Sequence, residues 1–345
     1  MAMCKVNDMN LWEPMVSIII PVYNGSNYLK QAIDSALGQD YPNIEVIVIN
    51  DGSSDNGKTE QIALKYGQKI RYYHKDNGGV ATALNLGIAN MRGDYFSWLS
   101  HDDLYGKRKI SVQIKLLRGL EDKSTIIAGG YALFSDNGKI LDIRDYVKTY
   151  RKEQLEIPLF PVFHCAVNGC TLLIHKSHFQ RVGLFDPSCI TTQDYDMWFR
   201  MMRGLSIVYS RGIHMYSRVH KNQDSVTLGD KHNDECNAMW IRLMDKLTDQ
   251  EKAQTAGSPR EFYEEVFRFF QARTSYKKAV MHAYNQCLLW SSSISLASPQ
   301  QIRKSVSEKH GDLSFSSLFH AARRKLRFKK YSIQLHGITK SGGFV

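Results

Sequence analysis

No stretch of the chain approaches eighteen consecutive apolar residues, so a membrane-spanning helix is not expected. The segment from Met1 to Pro14 is polar and lacks the apolar core of a secretory leader. Six cysteines (Cys4, Cys165, Cys170, Cys189, Cys236 and Cys287) are scattered, with no pair at zinc-ligand spacing and no disulfide-scaffold density. That usage points to a reducing cytoplasm. No Gly-x-Gly-x-x-Gly follows the first apolar run and no Gly-x-x-x-x-Gly-Lys occurs, which argues against a dinucleotide enzyme and a P-loop enzyme. There is no internal repeat.

At 345 residues, 43% hydrophobic and 23% charged, the chain has material for one large domain, or a domain with an appendage. The net charge of +11 is unevenly spread. Residues 301–345 carry ten Lys/Arg against two acids, about +8, and leave the rest close to neutral. The asymmetry predicts a basic C-terminal appendage on an ordinary body.

The first half alternates short β-branched runs with helical stretches, as parallel sheets wrapped by helices do. Strands are predicted at Val16–Ile20, Ile44–Ile49, Ile70–His74 and Tyr95–Leu99. Helices are predicted at Asn27–Leu37, Gly57–Tyr66, Ala81–Ala89 and Lys107–Leu117. Ile126–Phe134 and Lys139–Ile143 flank an Asp136-Asn137-Gly138 turn and read as a hairpin. Further on, Gly169–Ile174 reads as a strand, Gln193–Met202 as a helix and Ile213–Val219 as a last strand. From about Gly229 the chain becomes mostly helical, with Trp240–Leu247 and Glu261–Ala272 as clear segments and a serine-rich break at Ser291–Ser295.

The loops after the strands are polar: Pro21-Val22-Tyr23-Asn24-Gly25, Asn50–Asp55 and Ser100-His101-Asp102-Asp103. Ligands of open parallel sheets bind outside the carboxyl ends of the strands, where these loops lie. Asp76-Asn77-Gly78-Gly79 opens a helix, and its glycines let backbone amides approach an anion. Asp102 and Asp103 at a strand end suit a hard cation, Mg²⁺ or Mn²⁺, held with substrate phosphates. Adjacent acids alone more often only cap the next helix, and it is the surrounding loops that favour the cation.

The ordered set Val16–Asn24, Val48–Asp55, Asn77–Gly79 with Ala83-Leu84-Asn85, and Trp98–Leu104 resembles the family 2 glycosyltransferases of GT-A fold, over roughly residues 15–225. The resemblance implies an α/β fold, a Rossmann-like, mostly parallel sheet flanked by helices. It implies a nucleotide-sugar-binding catalytic domain over 14–228, followed by a mostly helical region with a basic tail over 229–345. Pro21, Tyr23, Asn24 and Asp51 then hold the base and ribose, with Asn77 and Asn85 on the nucleotide side. The aspartate motif falls on Asp103 as metal ligand and Asp102 as a ribose contact, with Ser100 where many members carry an acid. Val182–Asp186 and Gln193–Arg200 resemble the acidic motif at a helix start, which makes Asp194 the general base. Asp196 is its rival, and Gln193 stands where glutamate is usual. Asn168 and Gly169 match the acceptor-side loop, and His220 matches the histidine that contacts metal or pyrophosphate.

The implied activity is an inverting, metal-dependent transfer of a hexose or deoxyhexose from a UDP- or dTDP-sugar to a hydroxyl of a glycan or lipid-linked acceptor in cell-surface polysaccharide synthesis. The competing reading is a catalytically silent nucleotide-sugar-binding or scaffold subunit of a glycan assembly complex, suggested by Ser100 and Gln193. In the tail, Phe319, Leu326 and Phe328 interleave with Arg323, Arg324, Lys325, Arg327, Lys329 and Lys330. Such a segment suits the anionic inner face of a cell membrane, and equally a solvated basic face. No nucleic-acid recognition module accompanies it.

Overall fold

The computed structural model describes residues 12–221, 223 and 227–290. The serine-rich break and the basic tail lie outside the described residues. The first half forms β1 (Val16–Val22), α1 (Leu29–Leu37), β2 (Ile44–Asp51), α2 (Lys58–Leu64), β3 (Arg71–Lys75), α3 (Val80–Asn90), β4 (Tyr95–Trp98), β5 (Leu104–Tyr105) and α4 (Lys109–Arg118). Then come β6 (Ile127–Ser135), β7 (Ile140–Arg144), three one-turn helices α5 (Tyr146–Thr149), α6 (Lys152–Leu155) and α7 (Phe160–Phe163), then β8 (Ile174–His175) and α8 (Ser177–Val182). The chain continues through α9 (Gln193–Met202), β9 (Val208–Val219), α10 (Gly229–Asp245), α11 (Asp249–Ala256), α12 (Pro259–Gln271) and α13 (Lys277–Leu289).

The main sheet runs β3-β2-β1-β4-β8, parallel except for the antiparallel edge strand β8. All seven residues of β1 are buried. A continuous Val/Ile run without alternation is what a strand covered on both faces requires. The strand order reverses between β1 and β4, so the loops after these two strands diverge around a crevice, the usual ligand position in such sheets. A second sheet, β5-β9-β6-β7, contains the expected β6–β7 hairpin and pairs β9 in parallel with β6.

Two sequence expectations need correction. The strand expected over Gly169–Ile174 is a 3₁₀ turn at Gly169–Thr171 followed by two paired residues, Ile174–His175. Gly169 is wedged between two indoles: a Cβ there would lie 2.8 Å from Trp198 and 2.9 Å from Trp98, so the backbone bends around them. The last strand begins at Val208, not Ile213. Its pairing shifts register opposite Gly129 and Gly130, which hid the period-two signal of its first half.

The C-terminal helices share the apolar core of the sheet domain. Trp240 of α10 meets Phe163 of α7 (centroids 5.9 Å apart), Tyr195 of α9 (5.3 Å) and Phe270 of α12 (4.8 Å). Helix α12 starts cleanly because Ser258 accepts from the Glu261 amide at 3.1 Å and Pro259 occupies its first turn. Among the described residues no helix is long and apolar enough to cross a membrane.

Candidate functional site

The loops after β1 and β2 are tied together. Asn24, at φ +50°, donates its amide to Ser53 Oγ (2.9 Å) and accepts from the Ser54 amide (2.7 Å). Pro21 is buried within β1, and Tyr23 stands 46% exposed, an aromatic face at the crevice. Asp51, at the buried end of β2, accepts from Lys75 and from the Gly78 (3.1 Å) and Gly79 (2.8 Å) amides. Asn77 Nδ2 donates to the Asp51 carbonyl at 2.9 Å. The 76–79 loop is therefore shaped by Asp51 before any ligand arrives. Gly52, at φ +69°, lets the two loops meet, since a Cβ there would sit 2.5 Å from the Asn77 nitrogen.

The second cluster surrounds the acid pair. Asp102 Oδ2 accepts from His220 Nε2 at 2.9 Å. Burial pushes the Asp102 carboxyl up, but the His220 hydrogen bond and the charge of His101 outweigh it and hold it below its ordinary range. Asp103 is 6% exposed, and its Oδ1 accepts the Arg218 amide at 2.9 Å. Burial, with the neighbouring Asp102 charge, drives the Asp103 carboxyl well above the usual range. Sequence placed the cation on Asp103. The structure turns that carboxylate inward onto the β9 backbone and gives the facing position to Asp102. His220 Nδ1 is buried without a hydrogen-bond partner among the described residues. A carboxylate and an imidazole with an orphaned nitrogen fit a divalent cation that also takes phosphate oxygens. Among the described residues no three His, Cys, Asp or Glu side chains converge into a full metal cage.

Arg218, two residues before His220, is the hub of this cluster. It is 4% exposed and donates to the Asp102 carbonyl (3.0 Å) and Gln31 Oε1 (2.7 Å), and its guanidinium lies between the rings of Tyr28 (4.3 Å) and Phe134 (4.5 Å). It fixes the end of β9, which His220 directly follows.

Asn85 does not face a ligand. Its amide is spent on Phe185, donating to the carbonyl at 2.8 Å and accepting the amide at 3.0 Å. The nucleotide contact expected there is a backbone clamp on the 183–186 loop.

Asp194 opens α9 and lines a cavity of about 430 Å³. Burial raises its carboxyl to about 6, against the Tyr195 amide hydrogen bond that lowers it and with the Glu235 charge adding to the rise. The rival acid Asp196 is locked between Arg200 (2.9 Å) and Arg242 (3.0 Å). Gln193 Oε1 is buried without a hydrogen-bond partner among the described residues. Glu235 of α10, which no local pattern marks, accepts from the Thr191 amide, the Thr191 hydroxyl (2.8 Å) and the Thr192 hydroxyl (2.8 Å), and so pins the residues just before α9. Cys165 lines the cavity, while Cys170, held by the Asn168 side chain at 2.9 Å, lies 3.5 Å from Ser100. Asn168 and Gly169 open the turn that carries Cys170, and neither lines the cavity.

A mostly parallel sheet flanked by helices, with a switch-point crevice at the ends of β1 and β4, is the architecture of the GT-A class of folds. The solved S. aureus TarS 1–349 in complex with UDP-GlcNAc has this fold, with a TM-score of 0.56 at 15% identity, covering 90% of this chain and 87% of that one. The family model described as glycosyl transferase family 2 matches residues 17–179. An uncharacterized glycosyltransferase of Rickettsia typhi is 48% identical over 262 residues, covering 76% of this chain and 81% of that protein. The chain belongs to glycosyl transferase family 2. It spans about half the length of other relatives, such as the uncharacterized glycosyltransferase of Rickettsia felis, 46% identical over 275 residues, of which it covers 46%.

Proposed function

We propose that this chain is an inverting glycosyltransferase that moves a hexose or deoxyhexose from a UDP- or dTDP-sugar to a hydroxyl of a glycan or lipid-linked acceptor, in the synthesis of a cell-surface polysaccharide. The observation that carries the reading is Asp194: a carboxylate poised near pH 6 at the wall of an aromatic-lined cavity, in a chain that also pairs Asp102 with His220 beyond the end of β4. A general base works best with a pKa near the operating pH.

The roles follow from placement. Tyr23, Asn24 and the Asp51-shaped loop at Asn77–Gly79 receive the nucleoside. Asp102 and His220 would hold Mg²⁺ or Mn²⁺, and Asp103 supports them by holding the β9 backbone. When bound there, the cation neutralises charge on the leaving pyrophosphate. Asp194 takes the proton of the acceptor hydroxyl, Asn168 and Gly169 shape the passage between the two halves, and attack opposite the leaving group inverts the anomeric centre. No covalent sugar–enzyme adduct is required. Residues 14–228 supply the donor machinery and 229–290 close the acceptor side. Association with the inner face of the cell membrane through the 319–330 segment is part of the same reading.

The test is a panel of UDP-glucose, UDP-GlcNAc and dTDP-rhamnose with Mn²⁺, following nucleoside diphosphate release and thermal shift. Slow hydrolysis of at least one donor, lost in Asp102→Asn and His220→Ala, is expected. Binding without hydrolysis or transfer would instead identify a silent donor-binding subunit, and no binding by any donor would refute the assignment.

A further inference from the structure

The cavity beside Asp194 is charged in a way that sugar transfer alone does not need. Asp194 is its one lining carboxylate, and two arginines, Arg144 and Arg273, also line it. Arg144 is already paired with Asp142 at 2.7 Å. Arg273 has no carboxylate partner among the described residues. Its guanidinium is nonetheless fixed, stacked 3.7 Å over the Phe269 ring, with Nη1 donating to the Phe269 carbonyl at 2.8 Å. Only one of its five N–H donors is used in this way, and the guanidinium is the side chain best matched to a carboxylate or phosphate.

The rest of the lining suits a sugar. Tyr146, Tyr150, Tyr195, Trp240 and Tyr276 give flat apolar faces with polar edges, and the volume lies in the ordinary range for a small-ligand site. Trp240 comes from α10 and Arg273 and Tyr276 from the connection between α12 and α13, while Tyr146 and Tyr150 come from the segment after β7. Both regions are needed to close the cavity.

We infer that the acceptor is an anionic glycan, a sugar bearing a carboxylate or phosphate that Arg273 binds while Asp194 meets the hydroxyl. The inference rests on reading this cavity as the acceptor side. A neutral acceptor would leave a rigid, half-buried guanidinium with nothing to bind. An anionic one places its charge at the Arg273 end, where it is balanced, and away from Asp194, which would repel it.

The experiment uses the full chain without donor or metal, so it is independent of the hydrolysis assay. Methyl β-glucuronide, glucose 6-phosphate and neutral methyl β-glucoside are titrated by ligand-observed NMR at low and high salt. One or both anionic probes should bind about tenfold more tightly than the neutral one, the worth of one charge-assisted hydrogen bond. The two anionic arms separate a carboxylate source from a phosphate source. Arg273→Gln should erase the preference and Arg273→Lys should keep part of it. Asp194→Asn, which leaves Arg273 and its stacking in place, should tighten the anionic probes relative to the neutral one and so widen the preference. Equal binding of neutral and anionic probes, no binding of any probe, or a preference that survives Arg273→Gln overturns the inference. Donor hydrolysis without anion preference sinks only this proposal. Anion preference without any donor binding sinks only the transferase reading.

Discussion

Asp194→Asn should silence transfer and at the same time stabilise the protein at neutral pH. In the folded chain the Asp194 carboxyl holds its proton up to about pH 6, whereas its ordinary value is 3.8. Folding therefore takes up a proton between these values, and stability falls as the pH rises from 3.8 toward 6. At about 1.36 kcal/mol per pH unit, the gap makes the ionised carboxylate cost up to about 3 kcal/mol above pH 6. Asparagine keeps the shape and removes the charge. The variant should then melt several degrees above the parent at pH 8, with the difference shrinking to nothing near pH 4. Its transfer rate should drop by about 10²–10⁴, the usual worth of a positioned base. In the parent, kcat/KM should fall about tenfold per pH unit below 6, since only the ionised form accepts the proton. Thermal melts at pH 4, 6 and 8 together with a pH–rate profile make the measurement. If the variant is no more stable than the parent at pH 8, or parent activity is flat between pH 5 and 7, the assignment of Asp194 as a strained, poised base is wrong.

Two further outcomes follow from particular contacts. Glu235→Ala removes the acceptor that holds Thr191 and Thr192; it should cost about 2–3 kcal/mol and lower kcat without changing the donor KM, with Glu235→Gln restoring part of both, as urea melts and steady-state kinetics would show. Gly52→Ala forces a side chain into a left-handed backbone and against the Asn77 nitrogen. A loss of about 1–3 kcal/mol by denaturant titration and a raised donor KM are expected; a neutral effect would mean that the loop junction is not set by this glycine.

The sheet and most helices could be read in advance because their signals are local. The apolar run of β1 and the spacing of α9 fix those elements whatever surrounds them, and the α9 boundaries, Gln193–Met202, came out as expected. Parallel strands also place their following loops at one end, so Tyr23, Asn24, Asp51 and Asp102 could be assigned to a common region from order alone. Which way each side chain turns was decided elsewhere. Asp102 and Asp103 are adjacent and chemically identical, and only the passage of β9 beside them, with the Arg218 amide at 2.9 Å, sends one inward and leaves the other to His220. Asn85 looked like a ligand contact until the Phe185 backbone, 100 residues away, took both ends of its amide. Glu235 in α10 and Arg273, just past the end of α12, have no local pattern to distinguish them from other surface charges. Their meaning comes from α10 and α12 closing over α9. Periodicity records what a residue does to its own segment, whereas a site is made of groups whose distances are set by packing between segments far apart in the chain.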